Sequence, residues 1–97
     1  MPRPLRELQL PYGVPRTPVQ AFARVVRERR LALGLKQSDL EHEDSIDRSY
    51  ISKLELAKRE PGLNAIFHIA KALGMQPGAL IKAVEDAMDT EYSRHQP

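Results

Sequence analysis

The 97-residue sequence has no cysteine and no tryptophan, and only 5% of its residues are aromatic. The missing cysteines exclude disulfides and thiolate metal sites, and they fit a reducing compartment. Long apolar runs are missing too: nowhere do about 18 consecutive apolar residues occur, so no membrane-spanning helix is expected. Met1 opens into "PRPLRELQLP", which lacks the apolar stretch of an export signal. We therefore expect a soluble, cytoplasmic protein without membrane partners. A chain of this length has room for one small domain with a single modest core, and a large enclosed substrate cavity is not expected.

Charge is small in sum and uneven in distribution. The net formal charge is +2, but residues 1–36 carry eight basic and two acidic side chains, residues 37–55 two basic and six acidic, and residues 56–97 five of each. A basic first third points to an anionic partner, against which the acidic middle has to be weighed.

Five of the eight prolines fall at positions 2, 4, 11, 15 and 18. Residues 1–17 are accordingly expected to form an extended or disordered arm. From Thr17 the pattern changes. Thr17 is a good N-cap, Pro18 suits the first helical position, and Gln20 is placed to reach back as in a capping box. Val19, Phe22, Ala23, Val26 and Leu33 then recur at helical spacing up to Gly34, which predicts helix one over 18–33. Helix two is expected from Lys36 to Glu43 with Leu40 as its buried anchor. Asp47 caps helix three, which breaks near Ala57 before the loop "KREPG". Helix four runs from Gly62 to Gly74 and is the most apolar segment. Pro77 opens helix five, over about 77–90, with Leu80, Ile81, Val84 and Met88 repeating on one side. The expected class is all-α, five short helices after a Pro-rich N-terminal arm, with 91–97 as a disordered tail.

The stretch "DRSYISKLE" (47–55) separates two faces. Ile51 and Leu54 form a narrow apolar stripe, leaving Arg48, Ser49, Ser52 and Lys53 to project outward. The connection before it, "DSI", has the length of a helix-turn-helix turn, which puts that motif at about 36–56. At this point the chain resembles a known family. Over about Phe22 to Leu80, "RERRLALGLKQSDL", "SYISKLELAKREP" and "IAKALGM" resemble the lambda-repressor-like, XRE-type helix-turn-helix domains of bacterial and phage regulators.

The resemblance implies a five-helix DNA-binding domain and assigns roles residue by residue. Gln37, with Lys36 beside it, matches the position that holds a DNA phosphate, and a helix N-terminus suits an anion there. Arg48, Ser49 and Lys53 match positions that face base edges, with Ser52 between them. Tyr50 matches a site that touches sugar or phosphate, and Lys58 and Arg59 lie in a loop that contacts the backbone. Arg30 and Glu55 match a structural ion pair. The same resemblance marks departures: Glu41 stands where the family has a small residue, Ser45 where it has Gly, and Asp44 where it has an apolar one. A buried, unpaired Glu41 would cost several kcal/mol, on the order of the desolvation of an ion, so it must find a partner or water.

Arg3, Arg6 and Arg16 on the arm are candidates for a minor groove, with a solubilising tail as the alternative. Ile81, Val84 and Met88 are candidates for a homodimer interface, because a lone recognition helix reads few base pairs and a two-fold axis supplies a second. His42, His68 and His95 lack metal-ligand spacing, "HEDSID" lacks the Gly and ligand alternation of a calcium loop, and nothing arranges a nucleophile with a base. No metal, cofactor or catalysis is therefore expected. The expected partner is double-stranded DNA, a near-palindromic operator. The alternative is a protein-interaction module, such as an antitoxin component or a restriction-modification controller protein.

Overall fold

The computed structural model describes residues 15–42 and 46–92, with side chains described through residue 88. Among these residues there are four α-helices, one 3-10 segment and no strand. The helices are α1 (Pro18–Ala32), α2 (Arg48–Glu55), α3 (Leu63–Ala72) and α4 (Pro77–Tyr92), with the 3-10 segment (Gln37–Leu40) between α1 and α2. The all-α class is as expected, but helix two is not an α-helix.

The first helix starts as its sequence demands. The Thr17 hydroxyl accepts the Gln20 N–H at 3.2 Å, and Pro18 spends no amide at a position that has no helical partner. Gln20 does reach back, but to the Arg16 N–H (2.8 Å), one residue beyond a capping box. The Pro15 side chain is fully buried and Thr17 is extended (φ −130°, ψ 158°), so residues 15–17 lead into α1 as extended chain against the core. Leu33, expected on the apolar face, is instead the C-cap and is 45% exposed.

Three helices end in the same way, with a left-handed residue and a hydrogen bond reaching back five positions. The pairs are Leu35 N–H to Arg30 O, Lys58 N–H to Lys53 O, and Met75 N–H to Ala70 O, at 3.0, 2.8 and 2.8 Å. Gly34 and Gly74 supply two of the left-handed residues, but α2 closes on Ala57 at φ 59°. A Cβ in that conformation costs roughly 1–2 kcal/mol.

One core joins all five elements. Phe22 and Val26 of α1, Leu40 of the 3-10 segment, Ile51 and Leu54 of α2, Ile69 and Leu73 of α3, and Leu80 and Val84 of α4 are all buried in it. α1 packs most extensively on α4 and also touches α2. The end of α3 is tied in by the Arg29 Nε–H, which donates to the Leu73 carbonyl at 3.3 Å.

Helix two is cut short for a reason visible in its residues. Most helical stability in a protein comes from packing an apolar face. Leu40 is the one buried residue of this segment, too little apolar face to hold a longer helix. The backbone becomes extended at Glu41 (φ −68°, ψ 154°), and the next helix, α2, begins at Arg48.

Helix five is also corrected: α4 continues to Tyr92, so residues 91 and 92 are helical. The expectations for Arg3, Arg6, Asp44, Ser45, His95 and the tail from 93 lie outside the described residues.

Candidate nucleic-acid interface

The recognition segment is built from both ends. At its N-terminus Asp47 Oδ1 accepts the Tyr50 N–H at 2.8 Å, the cap expected from sequence. Glu41 Oε2 accepts the Arg48 N–H, also at 2.8 Å. The Glu41 carboxylate is therefore exposed and hydrogen-bonded, in a chain that has already left the helix.

At the other end Glu55 is 1% exposed. Arg30 grips it bidentately, Nε to Oε2 at 2.7 Å and Nη2 to Oε1 at 2.9 Å, and spends Nη1 on the Leu35 carbonyl at 2.9 Å. Arg27 Nη1 approaches the same carboxylate at 3.6 Å. A buried ion survives only with its hydrogen bonds filled, and this one has three cationic or amide partners. The third is Gln37, whose Nε2 donates to Glu55 Oε1 at 3.2 Å. The resemblance gave Gln37 a phosphate; the structure commits its side-chain nitrogen to Glu55.

With both ends fixed, the outer face of α2 is defined. Ile51 and Leu54 are buried, Arg48, Ser49 and Lys53 are exposed, and Ser52 is half-buried. Arg48 also shares an open hollow of about 540 Å³ with Lys36, Gln37 and Ser38, floored by Arg30 and Leu35. Two exposed cations and the Ser38 hydroxyl line it, donors suited to a phosphate, while the Gln37 side-chain nitrogen is committed to Glu55. Tyr50 is half-buried, and the Arg59 guanidinium carbon lies 5.3 Å from its ring centroid, so the loop and the helix meet through a cation–π contact. Lys58 and Arg16 are exposed.

The structure does not gather the candidate dimer residues on one free surface. Val84 is a core residue at 8% exposure, Met88 is partly buried against the core, and only Ile81 is open, at 47%. Larger apolar exposure lies on α3, at Leu63 (70%) and Phe67 (55%). On α3 these two flank the polar stripe of Asn64, His68 and Lys71, away from buried Ala65 and Ile69.

One pairing was missed. His42 and His68, far apart in sequence, have ring centroids 4.2 Å apart, and His68 Nε2 lies 3.1 Å from the Leu40 carbonyl and 3.2 Å from that of Glu41. A ring nitrogen facing two carbonyls must be the donor, so His68 fastens α3 to the helix-turn-helix connection. Among the described residues no group of three or more His, Cys, Asp or Glu is arranged for a metal ion, and no helix is long and apolar enough to cross a membrane.

A short helix whose flanks are locked, whose inner stripe is buried and whose outer stripe is polar and basic defines a helix-turn-helix reader. The helix-turn-helix family profile matches residues 26–80, and the chain belongs to that XRE-type family of DNA-binding transcription regulators. Among known proteins it is similar to the uncharacterized HTH-type transcriptional regulator y4dJ of Sinorhizobium fredii, 31% identical over 65 residues, covering 67% of this chain and 79% of that protein. It is also similar to control protein C.BamHI of Bacillus amyloliquefaciens, 39% identical over 61 residues, covering 62% of this chain and 75% of that protein. The fold is shared with the clp gene regulator ClgR of Corynebacterium glutamicum, with a TM-score of 0.71 over 82% of this chain and 86% of that one at 18% identity.

Proposed function

We propose that the protein is a cytoplasmic, non-enzymatic regulator, acting as a repressor, that binds a near-palindromic DNA operator as a homodimer. The observation that carries this reading is the outer face of α2, where Arg48, Ser49 and Lys53 are exposed while Ile51, Leu54 and Glu55 are buried in the scaffold. In this reading α2 enters the major groove. Arg48 and Lys53 donate to base edges such as guanine N7 and O6, with Ser49 and Ser52 beside them. Lys36, the Gln37 backbone amide, Tyr50, Lys58 and Arg59 hold the phosphate backbone, and the arm arginines Arg3, Arg6 and Arg16 are assigned to a minor groove.

A homodimer places two such helices about 34 Å apart on one face of the duplex. Ile81 is the member of the dimer set with area left to bury, with Val84 and Met88 backing it from the core. The test is selection from a random DNA pool at two salt concentrations. A two-fold symmetric site with half-sites one turn apart is expected, and failure to enrich any sequence overturns the reading.

The likeness to control protein C.BamHI favours a second reading, that of a restriction-modification controller protein. Exposed Leu63 and Phe67 give a protein-interaction module, such as an antitoxin component, a surface to work with. An adjacent methyltransferase or toxin gene separates these two.

A further inference from the structure

Helix two was expected to reach Glu43, but the chain is extended from Glu41, and three contacts hold residues 41–42 and 46–47 on the two sides of the turn. His68 donates to the Leu40 and Glu41 carbonyls, and the His42 N–H donates to the Ile46 carbonyl at 2.8 Å. The third contact is the Glu41 side chain, which alone of the three reaches the first residue of α2. The leading amides of a helix have no helical partner and carry a partial positive charge. Here two of them, on Arg48 and Tyr50, are taken by the carboxylates of Glu41 and Asp47. Asp47 is an ordinary cap. Glu41 is not, because it comes from seven residues back, across the turn.

We propose that Glu41 is a positioning and specificity-determining residue for DNA reading. Its Oε2 fixes the first turn of α2, and so the direction in which Arg48 leaves the backbone, while its negative charge denies that turn to a phosphate. Generic duplex, which binds through phosphates, is weakened more than a site that rewards Arg48 with a base contact. The inference rests on the DNA reading above.

Two substitutions in the full chain separate the hydrogen bond from the charge. Glu41→Gln keeps an acceptor oxygen and removes the charge. Its affinity for a random duplex should rise about two- to fivefold at about 50 mM salt and converge on wild type at about 200 mM, while affinity for the selected site rises less. Glu41→Ala removes both, and the Arg48 amide should then exchange its hydrogen about fivefold faster, with the Leu54 and Ile69 amides unchanged as controls for folding. An Arg48 amide equally protected in Glu41→Ala overturns the positioning role. Random-duplex affinity unchanged by Glu41→Gln at either salt overturns the screening role. Should wild type bind no duplex at low salt while Arg48 exchange still follows Glu41, the DNA reading is what has failed, and the specificity role falls with it.

Discussion

Two glutamates bracket the recognition helix, and they differ in almost everything but their chemistry. Glu55 at the C-terminal end is 1% exposed and held by Arg30, Arg27 and Gln37; Glu41 before the N-terminal end is exposed and makes one hydrogen bond to a backbone amide. A buried carboxylate is tolerated only when its partners replace water, so Glu55 makes the junction of α1, the 3-10 segment and α2 nearly all-or-none. An exposed one keeps its water, contributes little to stability and acts mainly through the field it casts on an approaching phosphate. One end of the helix therefore specifies the fold, and the other tunes what the fold can bind.

The comparison can be broken most forcefully at Glu55. Glu55→Ala strands Arg30 in the core, and a loss of about 3–5 kcal/mol in unfolding free energy is expected in urea titration. A loss below about 1 kcal/mol, the worth of a surface pair, would mean the two glutamates are not different in kind. Next in size is Arg48→Ala, which should leave unfolding unchanged and relax preference at one base pair per half-site, by roughly 1–3 kcal/mol in competition binding.

Smaller effects sharpen the contrast at the two helix ends. Asp47→Ala should cost about 1 kcal/mol of stability by removing the cap. Ala57→Gly should do the opposite, raising stability by about 1 kcal/mol in the same titration, because Gly adopts the φ of 59° without strain. Smallest is Lys58→Ala, expected to leave stability alone, weaken all DNA sequences alike and reduce the salt slope by about one. Equal losses on specific and random duplexes from both Arg48→Ala and Lys58→Ala would contradict the division between base and backbone contacts.

Much of the site was legible because its signals are local. Thr17, Asp47, Gly34 and Gly74 mark helix boundaries through a cap oxygen or a missing Cβ, and the Ile51–Leu54 stripe separates the inner face of α2 from the outer. The Arg30–Glu55 pair and the Gln37 position came through resemblance to a family, since nothing in spacing alone brings residues 30 and 55 together. Other features were not legible. Helix two is a 3-10 turn because Leu40 is its one buried residue, too little apolar face to hold more, which appears only once the core is placed. Val84 and Ile81 share one apolar pattern on α4, yet one is in the core and the other faces outward. Leu63 and Phe67 sit beside the polar stripe of Asn64, His68 and Lys71, but that they are left in water depends on which faces the other elements cover.

By itself the sequence determined the all-helical class, the start of each α-helix and the polar face of α2, because caps, prolines, glycines and side-chain periodicity act within a few residues of where they stand. The tertiary structure alone decided which apolar side chains were left in water, that Gln37 would turn toward Glu55, and that His68 and Glu41 would hold the helix-turn-helix connection. Those outcomes depend on how buried charges and the core share space between elements distant in the chain, and no local rule contains that information.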